Sequence, residues 1–86
     1  MSVLTNAASR TDILNRLKRA EGQLRGVQRM IDEGEPCLKV AQQLSAVRKA
    51  LDSTFVRMTV CFIEQELDAR LDSMMEEMET LLARMA

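Results

Sequence analysis

Two cysteines are the side chains best suited to chemistry in this sequence. Cys37 and Cys61 lie 24 residues apart, and the chain has no His. Cys37 follows Pro36, a residue favoured where a helix begins because its missing N–H is not needed there. The unpaired N–H groups and the dipole of a first helical turn favour an anion. A thiolate at Cys37 would be a nucleophile or a metal ligand; the alternative is a small buried hydrophobic residue.

The segment between the two cysteines has the pattern of one long helix. Its apolar residues recur in steps of three and four, which is typical of a helix that packs lengthwise against another helix. They are Cys37, Val40, Leu44, Val47, Leu51, Thr54 or Phe55, Met58, and Cys61 or Phe62. At a rise of about 1.5 Å per residue, the 24 residues between the cysteines span roughly 36 Å. The two thiols can therefore approach each other only between two antiparallel chains.

Two more helices and a short arm complete the predicted fold. Residues 1–9 show no periodicity and predict a flexible N-terminal arm. The first helix, over about 10–33, is expected to be capped by Ser9 or Thr11, and a short joint leads to the second helix over about 36–67. A bend near Asp68 separates a third helix over about 70–85. The sequence thus predicts a single all-α domain over 10–86. The apolar stripe of the first helix is Ile13, Leu17, Ala20, Leu24, Val27 and Ile31.

Two glycines interrupt the first helix. Gly22 and Gly26 are four residues apart, and each costs about 1 kcal/mol of helix propensity relative to Ala. The spacing indicates that another helix crosses closely at this point, with a ligand contact as the alternative.

The size of the chain indicates that it works as an oligomer. With 86 residues and only 2% aromatic residues, the apolar surface that one chain can bury is marginal for stability without disulfides, metal or oligomerisation. We expect a second antiparallel chain to complete a four-helix core. The sequence lacks the basic start and apolar run of a secretion signal, and no stretch approaches the roughly 18 apolar residues that span a membrane. We therefore expect a cytoplasmic protein without a membrane partner.

The charges are divided unevenly along the chain. Residues 1–60 hold ten Lys and Arg against six Asp and Glu, a net charge of +4, whereas residues 61–86 hold two against seven, a net charge of −5. Arg16, Lys18 and Arg19 form the densest basic cluster. Repeated in an oligomer, such a face can neutralise several phosphates of a DNA duplex; a merely solvated face is the alternative.

Enzyme activity is not expected from these residues. The absence of His removes Ser-His and Cys-His nucleophile pairs and the commonest general base. No glycine-rich phosphate loop is present. The class that remains is a binding or regulatory protein.

Two strings of residues resemble the copper-sensitive operon repressor family, which includes the CsoR, RcnR, FrmR and CstR types. They are Arg16-Leu17-Lys18-Arg19-Ala20-Glu21-Gly22-Gln23-Leu24-Arg25-Gly26 and, after Cys37, Gln43-Leu44-Ser45-Ala46-Val47-Arg48-Lys49-Ala50-Leu51. The resemblance covers about residues 10–67. It implies an all-helical bacterial repressor, an antiparallel dimer that pairs into a flat homotetramer, and operator DNA bound through basic surface residues. Arg16, Lys18, Arg19 and Arg48 are the residues we assign to phosphate contacts.

The resemblance also implies a sensor at Cys37. Members of this family release DNA when copper, nickel or cobalt, formaldehyde or sulfane sulfur engages the matching cysteine. The usual metal-ligand positions in the partner chain correspond to Phe62 and Glu66, 25 and 29 residues after Cys37. Neither residue matches the family's His or Cys there, and Cys61 lies one residue earlier.

These observations predict a DNA-binding repressor controlled by thiol chemistry. Sulfane sulfur, or an electrophile such as formaldehyde, would modify Cys37, with Cys61 of the partner chain as a resolving thiol and no cofactor. The alternative within the family is a Cu(I)-responsive repressor with an atypical site at Cys37 and Cys61. The alternative from another class is a helical interaction module that does not bind DNA.

Overall fold

The computed structural model describes residues 2–85, which form two helices and no strand. Helix α1 covers Ala7–Asp32 and helix α2 covers Cys37–Met85. The two run antiparallel as a hairpin, and the prediction of an all-α fold is confirmed. Residues 1 and 86, the ends of the predicted arm and domain, lie outside the described residues.

Helix α1 begins earlier than the sequence indicated. Asn6 is its N-cap, with an extended backbone and a side-chain carbonyl that accepts a hydrogen bond from the Ser9 N–H at 2.9 Å. The prediction of Ser9 or Thr11 as the cap was wrong, because Asn is an equally good cap and lies further upstream. Residues 7–9, assigned to the arm, therefore belong to the helix.

A glycine turn ends α1 and redirects the chain. Gly34 has a φ of 74°, in the left-handed region. Its N–H donates to the Ile31 carbonyl at 3.1 Å, and the Glu35 N–H donates to the Met30 carbonyl at 2.9 Å. These two bonds form a Schellman motif, which satisfies carbonyls at the helix end. Helix α2 starts three residues after Gly34, with Cys37 in its first turn as predicted.

Helix α2 continues without a break for 49 residues. The predicted division into a second and a third helix at Asp68 was therefore wrong. Residues 66–70 contain no Gly or Pro, and Leu, Ala and Arg are among the residues that favour helix most. Without a breaker or a buried turn, each additional residue adds a backbone hydrogen bond and the helix extends.

The hairpin is held together by a single line of side chains, most of them small. In α1 the buried residues lie seven apart at Ile13, Ala20 and Val27, and α2 presents three more at the same spacing. Residues seven apart return to the same side of a helix after two turns. The α2 residues are Val47, Thr54 and Cys61.

The apolar stripe predicted for α2 therefore divides into two parts. The sequence pattern allowed either Thr54 or Phe55, and either Cys61 or Phe62, to belong to the stripe. The structure buries Thr54 and Cys61, whereas Phe55 is 72% exposed and Phe62 is 47% exposed. The larger side chains lie on a neighbouring strip of α2 that α1 leaves uncovered. We call this strip the outer stripe; it consists of Cys37, Leu44, Leu51, Phe55, Met58 and Phe62.

The glycines of α1 are not packing sites within this chain. A Cβ added at Gly22 or Gly26 would meet no atom within 4 Å. The prediction that another helix crosses closely at these glycines is therefore wrong for the hairpin, because α2 approaches α1 along Ala20 and Val27 on a different side.

The molecule is elongated, measuring 77 × 18 × 18 Å. Residues 2–5 reach α2 at Gln65 and Glu66 through hydrogen bonds from the Thr5 N–H (3.0 Å) and the Ser2 hydroxyl. Every residue from Leu67 to Met85 is exposed, so α2 extends well beyond the end of α1. Within residues 2–85, neither helix has a stretch long and apolar enough to cross a membrane.

The glycines provide a test of the hairpin. Gly22→Ala should raise the free energy of unfolding by roughly 1 kcal/mol, because Ala favours helix and has room here. Gly34→Ala should lower it by roughly 1–2 kcal/mol, because an L residue is strained at positive φ. Urea unfolding at equal protein concentration measures both variants. A destabilised Gly22→Ala would show that another molecule packs on that glycine.

Candidate sensor and nucleic-acid surfaces

Cys37 lies at an open, apolar end of the hairpin. Its thiol is free and exposed, in the first turn of α2. It borders a groove of about 410 Å³ whose other lining residues come from the end of α1, the turn and α2. These are Ile31, Glu35, Val40, Ala41 and Leu44. The carboxylate of Glu35 is paired with Lys39 at 3.2 Å. The thiol is thus accessible to a small reagent in largely apolar surroundings.

Cys61 lies in a contrasting environment. It is 3% exposed and belongs to the line of residues that packs against α1. The polar pocket beside it is lined by Thr5, Asn6 and Ser9 from the start of the chain, together with residues of α2. The structure does not bring Cys37 and Cys61 together within one chain. To act as a resolving thiol, Cys61 would first have to be uncovered from α1.

The donors around Cys37 do not make a metal site in a single chain. Soft ions such as Cu(I) are held by thiolate and imidazole donors, and the groove supplies one thiol and one carboxylate already paired with Lys39. Over residues 2–85, no group of three or more His, Cys, Asp or Glu side chains could hold a metal. A metal at Cys37 would need ligands from a second chain.

Arg16, a member of the predicted basic cluster, makes side-chain contacts with both helices. Its Nε donates to Asp12 Oδ1 at 3.1 Å, and Arg57 Nε donates to Asp12 Oδ2 at 3.1 Å. Arg16 Nη1 also reaches the Ser53 hydroxyl at 3.4 Å. Asp12 therefore links a guanidinium of α1 to one of α2, which fixes Arg16 at the junction of the helices.

The two guanidinium groups also change the acidity of Asp12. The hydrogen bond from Arg16 lowers the pKa of its carboxyl below the ordinary value, partial desolvation opposes this, and the hydrogen bond and charge of Arg57 lower it further. Asp12 is therefore ionised throughout the neutral range, and the bridge is present there.

The other predicted DNA contacts do not all lie beside Arg16. Arg19 is exposed and, together with Arg16, lines a small cleft between the two helices. Lys18 is exposed further around α1. Arg48 precedes Ser53 by five residues, about 140° around α2, which places it near the outer stripe. The structure brings Arg16 and Arg19 together and separates Arg48 from them.

Sequence reasoning missed several residues at this junction. Asp12 precedes Arg16 by one helical turn, a spacing that favours an ion pair, so this contact had a detectable signal. Arg57 and Ser53 are 45 and 37 residues from their partners in the chain. Their contacts depend on the register of the hairpin, which the apolar pattern alone did not determine.

The chain is similar to a known family of proteins. Residues 9–84 match the family described as metal-sensitive transcriptional repressor. No solved structure matches the chain.

Three curated relatives carry related names. The copper-sensing transcriptional repressor RicR of Mycobacterium tuberculosis is 55% identical over 38 residues, which are 44% of this chain and 40% of that protein. The copper-sensing repressor CsoR of Bacillus subtilis is 41% identical over 46 residues, 54% of this chain and 46% of that one. CsoR of Mycobacterium ulcerans is 36% identical over 70 residues, 76% of this chain and 60% of that one. The chain thus spans about half the length of these relatives.

Acid should weaken the bridge at Asp12. Because the pKa is lowered in the folded state, the carboxylate stabilises the protein fully above its unfolded pKa of about 3.9. That contribution is lost as the pH falls through the lower folded value. We expect wild type to be more stable than Asp12→Asn at pH 7, with the difference shrinking below about pH 4. Urea unfolding of both proteins from pH 7 to pH 3 measures this difference in the free energy of unfolding. A difference that stays constant with pH would contradict a stabilising bridge at Asp12.

Proposed function

This chain belongs to the family of metal-sensitive transcriptional repressors, and we propose that it represses transcription by binding operator DNA until its exposed thiol, Cys37, is engaged by an inducer. The family consists of regulators rather than enzymes. A repressor of this kind acts in the cytoplasm, where the DNA is. The observation that supports control at Cys37 is the contrast between its exposed thiol and the buried thiol of Cys61.

The basic side of the hairpin supports DNA as the partner. Arg16 and Arg19 lie together at one junction of the helices, and Lys18 is exposed on the same helix. Guanidinium groups bind phosphates through paired hydrogen bonds. Each phosphate neutralised releases counterions, so binding of this kind weakens as salt is raised.

The outer stripe supports a two-fold dimer. Leu44, Leu51, Phe55 and Met58 are 38–72% exposed in one chain, and an uncovered apolar strip of this length marks an interaction surface. The strip runs along one side of a straight helix, so a second copy can cover it by lying antiparallel. Two such dimers would then pair to form the homotetramer.

An antiparallel dimer also brings new residues to the sensor. Cys37 and Phe62 are at opposite ends of the outer stripe, so each Cys37 would face the Phe62 end of the partner. Phe62 supplies no metal ligand, and Glu66 supplies a carboxylate rather than a soft donor. We therefore favour covalent chemistry at Cys37, by sulfane sulfur or an electrophile of the formaldehyde type. Its product would alter the packing of the two α2 helices and hence the spacing of the basic faces.

A Cu(I)-responsive repressor is the second candidate, and the names of the relatives favour it. RicR and both CsoR proteins are called copper-sensing. In this chain a copper site would combine Cys37 with donors of the partner subunit. Cys61 could contribute only after leaving its contact with α1.

The proposed dimer predicts the mass of the assembly and a position at which a charged substitution disrupts it. We expect wild type to sediment as a multiple of the 9.7 kDa chain. Phe55→Glu should shift it toward the single chain, because a buried, unpaired charge is costly. Val56→Glu is the matched control, since Val56 is also exposed but lies about 100° further around α2. Analytical ultracentrifugation reads the mass, and equal behaviour of the two variants would remove the outer stripe from the interface.

The inducer can be identified by release from DNA. The reduced protein bound to the DNA upstream of its own gene is treated in turn with Cu(I), polysulfide and formaldehyde, and the intact mass is recorded. We expect polysulfide or formaldehyde to release the DNA with a mass increase that maps to Cys37. Cys37→Ala should bind DNA as wild type does and stay bound under every treatment.

The same assay separates the alternatives. Release by Cu(I) without a covalent mass change would establish the copper-responsive repressor instead. Cys61→Ala is the matched control: it should still respond if Cys37 alone is the switch, and loss of its response would assign Cys61 a part in sensing. A Cys37→Ala variant that still responds would exclude Cys37.

A further inference from the structure

Cys61 is buried at the end of the hairpin that lies opposite the Gly34 turn. It is the last buried residue of α2, and Ile13 is the first buried residue of α1. Because the helices run antiparallel, these two residues lie at the same end of the contact between them. The next α2 position at the same spacing of seven is Asp68, which is exposed. The thiol is therefore at the edge of the contact, two helical turns from open surface.

A polar pocket borders Cys61 at this end. Its volume is about 340 Å³, enough for several water molecules at about 30 Å³ each. The wall contributed by the start of the chain consists of Thr5, Asn6 and Ser9. Cys61 is nevertheless only 3% exposed. The first residues of the chain thus form part of the cover over the thiol.

Residues 2–5, which we call the strap, are tied to α2 by the side chain of Gln65. Its Oε1 accepts from the Thr5 N–H at 3.0 Å and from the Thr5 hydroxyl at 3.1 Å. Its Nε2 donates to the Val3 carbonyl at 2.7 Å. One carboxamide thus binds both a donor and an acceptor of the strap backbone. Gln65 follows Cys61 by four residues, about one helical turn, so the strap is fastened beside the thiol.

Two further hydrogen bonds fasten the strap to both helices. The Ser2 hydroxyl donates to Glu66 of α2, and the Leu4 carbonyl accepts from Arg10 Nη1 of α1 at 3.3 Å. The Leu4 side chain is half-buried and borders a groove that Ile13 also lines. The strap therefore joins the start of α1 to α2 at the end of the hairpin where Cys61 lies.

The strap is held mainly by hydrogen bonds at exposed positions. Val3 is 69% exposed, and Ser2 and Thr5 are exposed as well. Each such bond contributes only modestly to stability, because water replaces it when it breaks. A segment with few buried apolar contacts opens at a smaller cost in free energy than the whole molecule unfolds. The strap can thus open while α1 remains packed on α2 along the rest of the contact.

We propose that the strap, with Gln65 as its latch, masks Cys61, and that opening of the strap and the first turn of α1 makes this buried thiol reactive. The inference concerns one chain and does not depend on whether the chain represses transcription. Within the function proposed above, this opening is the step that would free Cys61 to act as a second thiol.

Alkylation of Cys61 measures the opening. In a Cys37→Ala background Cys61 is the only thiol of the chain, and its reaction with excess N-ethylmaleimide is followed by intact mass. The rate for a masked thiol is the rate for the exposed thiol multiplied by the fraction of molecules that are open. We expect the folded protein to react at least about tenfold more slowly than the same protein unfolded in urea. Equal rates would overturn the masking.

Two substitutions release the strap. Gln65→Ala should raise the alkylation rate about tenfold, because it removes every hydrogen bond of the latch. Thr5→Pro removes the N–H and the hydroxyl that Gln65 binds and leaves α2 unchanged, so it should raise the rate by a similar factor. The double variant should react little faster than either single variant, since both changes break the same contacts.

Gln42→Ala is the matched control. It is the same substitution at an exposed position of the same helix, 23 residues before the latch. Its alkylation rate should equal that of the background protein. Equal rates for Gln65→Ala and Gln42→Ala would overturn the assignment of Gln65 as the latch.

The urea dependence of the same rates separates opening of the strap from unfolding of the chain. Local opening exposes little surface, so the alkylation rate should change only slightly with urea below the unfolding transition. A rate that rises with urea as steeply as the unfolding constant would overturn the strap as the mask. The assay contains no DNA, so its result stands if the repressor function fails, and failure of the strap leaves control at Cys37 intact.

Discussion

The packing of α1 on α2 depends on one line of small side chains, and every other surface of the molecule is arranged around it. Ala20, Val27, Val47 and Thr54 bring the two helices together along a narrow contact. Such a contact excludes little water, and burial of apolar area is the main source of stability in a fold of this kind. Within residues 2–85, Ile13 is buried in it, whereas the Leu, Phe and Met side chains are all at least partly exposed. In the proposed dimer, a second copy would cover the apolar side chains that the hairpin leaves exposed.

The same line separates two sides of the hairpin with different chemistry. On one side Leu44, Leu51 and Phe55 form an apolar strip that ends at the exposed thiol of Cys37. On the other, Arg16 and Arg19 are held at a junction of both helices by Asp12 and its partners. Assembly and ligand binding can thus use different surfaces, while both depend on how α2 lies against α1. In the proposed repressor, chemistry at Cys37 would reach the basic side through a change in the position of α2.

The sequence was sufficient for some features and not for others. Periodicity predicted helices with apolar stripes, and Gly34 with Pro36 located the turn between them. Periodicity could not predict which side chains of the α2 stripe are buried against α1. Thr54 and Phe55 are neighbours that both fit the heptad pattern, and so are Cys61 and Phe62. Only the packing of α1 shows that the smaller member of each pair is buried. Likewise, a bend was predicted near Asp68, whereas the local residues favour a continuous helix and α2 runs unbroken through them.

The candidate sites, too, could be predicted from the sequence only in part. The importance of Cys37 followed from its type and its place in a first helical turn, and its exposure agrees with that interpretation. The contacts of Arg16 with Ser53 and of Arg57 with Asp12 join distant parts of the chain. These contacts form only in one register of α1 against α2, and the spacing of residues in the sequence does not determine that register.

The long exposed end of α2 has an electrostatic consequence. This end carries five carboxylates and only two cations, Arg70 and Arg84, far along a molecule 77 Å long. The carboxylates are Asp68, Asp72, Glu76, Glu77 and Glu79, while the other ten Lys and Arg lie within residues 10–57. A single chain is therefore a strong charge dipole that turns its hairpin toward a polyanion as it approaches. In a two-fold antiparallel pair the two dipoles oppose each other, leaving a positive centre between two negative ends. Such an assembly would be attracted at its middle and repelled at its tips, which would confine its footprint along a duplex.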